Sequence, residues 1–271
     1  MILTRRLALR AMGGLAGTLL ALSSTAALAQ EALMVAAYPS NPPWQNQTEA
    51  GGFEGFEVDI VNEVAARMGR ETDIQATDFR AIFVATASGR VDMAISSITI
   101  TDERLGQQSF TQPYVRGGLG IGIHEGDPIA SLEDLAGKTV GAIATSFGEA
   151  YITERKDALG IGELRSYDTL ANLLSDLGNG RLDAVINDVV GLQYAFTQTE
   201  GLAVGAEIDT GELFAIMMPK DSALLEEVNG HISDMKTDGT MATLYEKWFG
   251  VAPAADSVTV TPGPIPTSAA G

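Results

Sequence analysis

Two stretches of the sequence carry polar residues that could together bind a small charged ligand. Each stretch begins with a Gly-Arg-x-Asp turn, at 89–92 and at 180–183, and continues through an apolar segment to a polar end. The polar ends consist of Ser96, Ser97 and Thr99 in the first stretch and of Asn187 and Asp188 in the second. Hydroxyl, amide and carboxylate groups can hydrogen-bond a ligand, and a carboxylate can pair with a cation. Arg104, shortly after the first stretch, adds a planar two-pronged donor that suits a carboxylate.

Each of these side chains also has an ordinary structural explanation. Arg104 lies in the first turn of a predicted helix that Thr101 opens. A cation is unfavourable there, which favours an anionic partner, although a solvated arginine is the alternative. Asp188 precedes an apparent helix over 189–196 and could be its N-cap, a role compatible with ligand binding because a carboxylate has about four acceptor sites. Hydroxyl residues stabilise turns more often than they bind ligands, so the residues alone leave both interpretations open.

The elements that must position these residues alternate between strands and helices. Short apolar runs bounded by glycine, proline or polar turns predict strands at Leu33–Ala37, Met93–Ser97, Leu119–Ile123, Thr139–Ile143, Ala184–Ile186 and Leu213–Met218. One of the intervening helices should begin with the capping box Ser146-Phe147-Gly148-Glu149. This alternation predicts an α/β fold with parallel sheets covered on both faces. Because ligands bind at the carboxyl ends of such strands, the two similar stretches predict a cleft between two lobes.

Composition excludes several classes of function. The 271 residues include 17 Lys and Arg against 35 Asp and Glu, which gives a formal charge of −18. Such a chain repels phosphate backbones and anionic lipids, so we expect no nucleic-acid partner. The absence of cysteine removes disulfides, thiol nucleophiles, cysteine-ligated zinc and iron–sulfur clusters. His124 and His231 are isolated, and no nucleotide-binding loop is present, so we expect neither a metal nor a cofactor.

Both ends of the chain are predicted to lie outside the fold. Residues 1–29 resemble a secretory signal peptide: three arginines precede an apolar run over 11–22, and Ala27-Leu28-Ala29 predicts cleavage after Ala29. The run is shorter than a bilayer span, and either twin-arginine or general secretory export fits, so we expect a periplasmic protein. Residues 251–271 contain four of the ten prolines and few bulky apolar side chains, which predicts a disordered tail.

Several motifs together resemble the bacterial family 3 solute-binding proteins, which supply polar amino acids to ABC importers. The motifs are Gly55-Phe56-Glu57-Val58-Asp59-Ile60, residues 89–104, Phe110-Thr111-Gln112-Pro113-Tyr114, Ser131-Leu132-Glu133-Asp134-Leu135-Ala136-Gly137-Lys138, and Asp238-Gly239-Thr240 with Leu244–Gly250. The resemblance implies an α/β type II periplasmic-binding-protein fold. Its first lobe would comprise residues 30–114 and 214–250, its second lobe residues 119–208, and its hinges residues 115–118 and 209–213.

The resemblance also implies roles for individual residues. Arg104 would hold the ligand carboxylate and Thr99 would donate to it, while the carbonyl of Ser97 or its neighbour Ser96 and the carboxylate of Asp188 would accept the ligand ammonium. Ser146 would bind from the second lobe, although Phe147 stands where relatives have a small or hydroxyl residue. Asn41, Trp44 and Phe53 would line the pocket for the ligand side chain.

Two departures from the family pattern bear on the ligand. Where binders of basic amino acids carry an acid, this chain has Tyr38, and where many relatives stack an aromatic ring on the ligand it has Asn41. We therefore expect a neutral polar amino acid such as glutamine to be preferred over lysine. The expected partners are this amino acid and an inner-membrane ABC permease, with the protein itself a monomer. The alternatives are a cyclic-acid dehydratase on the same fold and the ligand-binding module of a sensor.

Overall fold

The computed structural model describes residues 31–269, so the predicted signal peptide and its cleavage site after Ala29 lie outside the described residues. Two five-stranded sheets form the centres of two lobes. In spatial order, the first sheet contains β5 (Thr72–Ala76), β1 (Leu33–Ala37), β6 (Met93–Ile95), β15 (Met217–Pro219) and β7 (Gln108–Phe110). The second contains β11 (Glu163–Tyr167), β10 (Thr139–Ile143), β12 (Ala184–Asp188), β9 (Leu119–His124) and β13 (Leu202–Ile208).

The sheets are mixed rather than uniformly parallel, which corrects the expectation from the alternating pattern. In the first sheet β1 pairs in parallel with β5 and β6, whereas β15 is antiparallel to its neighbours β6 and β7. In the second sheet β10 pairs in parallel with β11 and β12, whereas β9 is antiparallel to β12 and β13. The reason is that β9 and β15 each follow a passage between the lobes and enter the new sheet against the direction of its central strands.

Helices cover the faces of both sheets. The first lobe carries α1 (Phe56–Arg67), α2 (Phe79–Ala87), α3 (Asp102–Gln107), α7 (Leu225–Thr237) and α8 (Thr240–Phe249), and the second carries α4 (Phe147–Leu159), α5 (Leu170–Gly178) and α6 (Val189–Thr197). Large buried side chains fill the first lobe, among them Trp44, Phe56, Tyr114 and Phe214. None of the helices within residues 31–269 is long and apolar enough to cross a membrane.

The two connections between the lobes run side by side as a short ribbon. β8 (Val115–Arg116) and β14 (Leu213–Phe214) pair antiparallel, with Leu213 opposite Arg116 and Phe214 opposite Val115. The predicted strand Leu213–Met218 is therefore two strands, because its first residues pair with the other connection and only its last ones join the first sheet. A second small ribbon of β2 (Ser40–Asn41), β3 (Gln45–Gln47) and β4 (Phe53–Glu54) precedes α1.

The chain after α8 packs on the first lobe, where the sequence predicts disorder. It contains no helix or strand up to residue 269, but the Gly263 N–H donates to Gln112 Oε1 at 2.9 Å and Lys236 Nζ donates to the Thr261 carbonyl at 3.3 Å. Thr259 is buried. Hydrogen bonds between lobe side chains and the tail backbone, with a donor on either side, support this packing, and composition cannot reveal them.

Candidate ligand-binding site

A cavity lies between the two lobes and is lined by residues of both. The space open to the centres of water molecules is about 60 Å³. The cavity is lined from the first lobe by Tyr38, Asn41, Phe79, Ser96, Ser97, Thr99 and Arg104, from the second by Leu119, Ile143, Ser146, Phe147, Gly148, Leu170, Asn187 and Asp188, and from the β14 connection by Glu212 and Phe214. Seven of the nine residues predicted for the site are in this set, and Trp44 and Phe53 are not.

Arg104 reaches across the cavity from α3 of the first lobe. Thr101 caps this helix by accepting the Arg104 N–H at 3.2 Å. The guanidinium donates from Nη1 to the Thr99 carbonyl at 2.8 Å and from Nη2 to the Thr145 carbonyl, in the second lobe, at 3.0 Å, and it lies 4.8 Å from the centre of the Phe83 ring. Burial lowers the pKa of Arg104 to about 10, so it stays charged at neutral pH. Two of its five N–H groups are used, and the others can serve a ligand carboxylate.

Asp188 faces the same cavity from the end of β12 in the second lobe. Its Oδ2 caps α6 by accepting the Gly191 N–H at 2.7 Å and also accepts the Trp44 indole N–H at 2.7 Å. Its Oδ1 is buried and has no hydrogen-bond partner among the described residues. Burial raises the pKa of Asp188 to about 6. The N-cap role therefore uses Oδ2 alone, and Oδ1 is a buried acceptor with no donor in the described part of the chain.

Ser96 and Ser97 are oriented by side chains that donate to them. Gln45 Nε2 donates to Ser96 Oγ at 3.0 Å, and Asn41 Nδ2 donates to Ser97 Oγ at 3.1 Å. Because both hydroxyls act as acceptors in these bonds, their own hydrogens can be donated to a ligand. Ser97 has φ +43°, a left-handed conformation that is costly for a residue with a side chain and is found at ligand sites.

Glu212 is a site residue that the sequence analysis missed. It is only 6% exposed, and its Oε2 accepts the Thr99 hydroxyl at 2.6 Å while Oε1 accepts the Thr210 hydroxyl at 3.2 Å. The Thr99 hydroxyl thus donates to Glu212, and its predicted donation to a ligand carboxylate stays a prediction. Burial, with the nearby Asp188 charge, raises the pKa of Glu212 to about 7. Its position inside a segment predicted as a hinge was a usable signal, because a connection between lobes borders the cleft.

Behind the cavity lies a second buried acid, Glu57 of α1. Its Oε1 accepts the Ser97 N–H at 2.8 Å and the Tyr114 hydroxyl, and its Oε2 has no partner among the described residues. Burial raises the pKa of Glu57 to about 7, and the charge of Asp188 contributes. Glu57 does not line the cavity, so it supports the Ser97 turn from behind.

Trp44 and Phe53, which the sequence analysis placed in the pocket wall, do not line the cavity and pack in the first-lobe core instead. Trp44 is 1% exposed and packs its ring against Phe214 and Phe249, with centroids 5.4 and 5.3 Å away. Phe53 in β4 packs on the same first-lobe core. Both aromatics lie in the ribbon of β2, β3 and β4 before α1, and the apolar side of this ribbon faces the core. The apolar part of the cavity wall comes instead from residues such as Phe79 and Leu170, which no sequence motif indicated.

Direct contacts join the lobes around the cavity, so the structure is a closed conformation. Besides the bonds of Arg104 and Trp44, the Tyr38 hydroxyl accepts the Leu170 N–H at 3.2 Å and Arg80 pairs with Asp168 at 3.4 Å.

Outside the cavity, a wider groove of about 650 Å³ continues along the mouth of the cleft. Ser146, which caps α4 by accepting the Glu149 N–H at 3.0 Å, and the neighbouring Phe147 line both spaces.

Two α/β lobes joined by a double connection, with charged groups of opposite sign facing one interlobe cavity, define a ligand-binding protein that closes on its ligand. Residues 33–251 match the family of bacterial extracellular solute-binding proteins, family 3. The chain belongs to this family, and the predicted resemblance is confirmed.

Similar proteins agree with this assignment. The L-cystine-binding protein TcyJ of Escherichia coli (strain K12) is 31% identical over 223 residues, covering 80% of this chain and 82% of that protein. The lysine/arginine/ornithine-binding periplasmic protein of the same organism is 29% identical, covering 88% and 95%. Among solved structures, an ancestral arginine-binding protein bound to arginine matches with a TM-score of 0.77 at 34% identity, over 81% of this chain and 98% of that chain. A structure of such an ancestral protein bound to glutamine matches with a TM-score of 0.76 at 33% identity, so the type II fold is confirmed.

Proposed function

We propose that this solute-binding protein holds the zwitterion of an amino acid between its lobes. Arg104 of the first lobe binds the carboxylate, and Asp188 Oδ1 of the second lobe accepts the ammonium. The observation that carries the proposal is that Oδ1, in a cavity that Arg104 also lines, is buried with no hydrogen-bond partner within residues 31–269. Burying an unpaired carboxylate oxygen is costly, and a ligand ammonium removes that cost.

Binding of the two charged ends to different lobes couples the ligand to closure. A ligand shifts a conformational equilibrium only by its differential affinity for the two states. A ligand that contacts Arg104 and Asp188 together has this differential affinity, because the two side chains face one cavity only when the lobes are closed. The hinge motion then occurs in the two connections, at residues 115–118 and 209–213, which pair in the ribbon of β8 and β14.

The physiological role that follows is uptake. The protein, exported to the periplasm, captures the amino acid as a monomer and delivers it to an ABC permease in the inner membrane. It does not turn the ligand over. The relatives named above support this role, since they are binding proteins for cystine and for lysine, arginine and ornithine.

Selectivity for the ligand side chain comes from neutral polar groups. Tyr38, Asn41 and Asn187 line the cavity and can hydrogen-bond an amide or hydroxyl. These groups favour a neutral polar amino acid such as glutamine. Glu212 is the one group in the cavity wall, beyond Asp188, that could balance a cationic side chain.

A thermal-shift panel of the twenty amino acids and cystine tests the proposal. A ligand at 100 times its dissociation constant adds about 2.7 kcal/mol to stability, which corresponds to a rise in Tm of roughly 5–10 °C. Glutamine should give a larger shift than lysine or arginine. A largest shift with arginine would overturn the selectivity, and Glu212→Gln would then show whether Glu212 supplies the partner. No shift with any amino acid, or conversion of a cyclic acid to product, would overturn the function.

A further inference from the structure

The chain has two tryptophans, and each donates its indole N–H to an aspartate. Trp248 Nε1 lies 2.6 Å from Asp59 Oδ2, and both residues belong to the first lobe. Trp44 Nε1 lies 2.7 Å from Asp188 Oδ2, and this bond joins the first lobe to the second. The two pairs have the same chemistry but differ in whether the bond depends on the relative position of the lobes.

Trp44 is fixed within its own lobe. Its ring lies among Phe56, Phe214 and Phe249, and 1% of its surface is exposed. The backbone holds it as well, because a Cβ on Gly55 would lie 2.2 Å from the Trp44 carbonyl oxygen, so that only glycine fits there. A donor held this firmly cannot follow Asp188 when the second lobe moves away. The Trp44–Asp188 bond therefore exists only in the closed conformation.

We infer that Trp44 is a positioning residue that latches the lobes together through Asp188 and aims the free oxygen of that carboxylate at the ligand ammonium. The inference rests on the proposed function for the ammonium and extends it to a residue outside the cavity wall. A charge-assisted hydrogen bond in a buried site stabilises the closed state even without ligand. The latch uses Oδ2 and leaves Oδ1 with no donor among the residues that the structure describes, so Oδ1 stays available to the ligand ammonium.

Cleft width in the ligand-free protein tests the latch directly. Because the chain has no cysteine, Val84→Cys and Thr153→Cys can carry a pair of spin labels. These positions lie on α2 and α4 in opposite lobes and border the wide outer groove, which has room for labels. Trp44→Phe keeps an aromatic ring and removes the N–H, and Trp248→Phe is the matched control within one lobe.

We expect Trp44→Phe to shift the ligand-free distance distribution toward longer distances, with Trp248→Phe unchanged from the parent. L-Glutamine and L-arginine serve as probes, and the better binder should bind Trp44→Phe about tenfold more weakly, the lower range for losing a charged hydrogen bond. In Trp248→Phe, where Trp44 is the single tryptophan, ligand should change the emission spectrum. In Trp44→Phe, the emission of Trp248 should not respond.

Three results would overturn the latch: an unchanged ligand-free distance distribution in Trp44→Phe, equal loss of affinity in both tryptophan variants, or the same emission response from either tryptophan. The outcomes separate the two proposals. If neither cystine nor any of the twenty amino acids shifts the Tm of the parent protein and Trp44→Phe still opens, the proposed function fails and the latch stands. If the parent binds and Trp44→Phe neither opens nor loses affinity, the latch fails and the function stands.

Discussion

Replacing Asp188 by asparagine is the sharpest test of the site, because it changes charge while keeping shape. The amide oxygen of Asp188→Asn can still accept the Gly191 and Trp44 N–H groups, which now bind Oδ2, so α6 keeps its cap and the lobes keep their contact. The amide NH2 then takes the place of Oδ1, so the variant loses both the negative charge and the acceptor that has no partner among the described residues.

The expected loss of affinity is large, since the ligand ammonium would be buried without a counter-charge. Removing one partner of a buried hydrogen-bonded charge pair costs about 2–5 kcal/mol, which is a factor of roughly 30 to several thousand in the dissociation constant. Titration calorimetry with the amino acid that gives the largest thermal shift measures this factor at pH 8, where Asp188, with a pKa of about 6, is ionised.

The same variant should change the pH dependence of binding. Asp188 has a pKa of about 6 without ligand, and pairing with an ammonium must lower it in the complex. The ligand then competes with a proton at Oδ1, so the affinity of the parent protein should fall about tenfold between pH 7.5 and pH 5. Asp188→Asn should lack this component of the pH dependence, because it has no proton to displace.

Asp59→Asn is the matched control, since Asp59 also accepts a tryptophan N–H but lies within the first lobe, away from the cavity. It should bind the ligand like the parent. If Asp188→Asn binds within threefold of the parent, or if its affinity falls with pH as steeply as that of the parent, the ammonium does not bind Asp188 and the reasoning fails.

Three further predictions concern the carboxylate end, the buried acids and the tail. Arg104→Lys loses the planar guanidinium that donates to carbonyl groups of both lobes, and it should weaken binding at least tenfold by calorimetry. The variant Arg80→Lys, at an exposed position, should bind like the parent. Burial raises the pKa of Glu57 and of Glu212 to about 7, so the folded protein binds these protons more tightly than the unfolded chain. The Tm of the ligand-free protein should therefore rise as the pH falls from 8 to 5, and this rise should be smaller in Glu57→Gln. An equal rise in Glu57→Gln and the parent would contradict the raised pKa of Glu57. Deleting residues 251–271 should lower Tm by about 2–4 °C without changing affinity, as expected for the loss of about 1 kcal/mol; an unchanged Tm would mean that the tail is disordered in solution.

The parts of the site that local sequence patterns predicted are those where local structure coincides with function. Ser96 and Ser97 directly follow a buried strand, Asp188 ends another, and Arg104 lies in the first turn of a helix whose cap, Thr101, is visible in the sequence. Each of these places can be recognised from periodicity and capping rules, since strand ends and helix starts border the cleft in an α/β fold. The family resemblance then assigned the charges to the two ends of a zwitterion.

The parts that the sequence did not predict depend on contacts between distant segments. Glu212 reaches Thr99 across 113 positions, and Trp44 reaches Asp188 across 144, so no local pattern could connect them. The direction of β9 and β15 is likewise decided by how the chain passes between lobes rather than by the apolar runs themselves. In the structure the tail backbone hydrogen-bonds to Gln112, 151 positions from Gly263, and to Lys236, 25 positions from Thr261.

The balance of charge in the closed site links these missed residues to the ligand. The cavity wall holds one cation, Arg104, against the two acids Asp188 and Glu212, and Glu57 lies directly behind Ser97. A zwitterion brings no net charge, so it satisfies Arg104 and Asp188 but cannot neutralise the remaining carboxyls. Burial raises the pKa of Glu57 and of Glu212 to about 7, which allows each to carry a proton near neutral pH at little cost. Glu212 holds the hydroxyl of Thr99, and when protonated it can donate a hydrogen bond at the carboxylate end of the cavity, where an ionised acid would repel the ligand. Closure on a zwitterion therefore leaves Glu57 and Glu212 without a cationic partner, and protonation of each removes its charge, whereas a ligand with a second cationic group could balance one of the two.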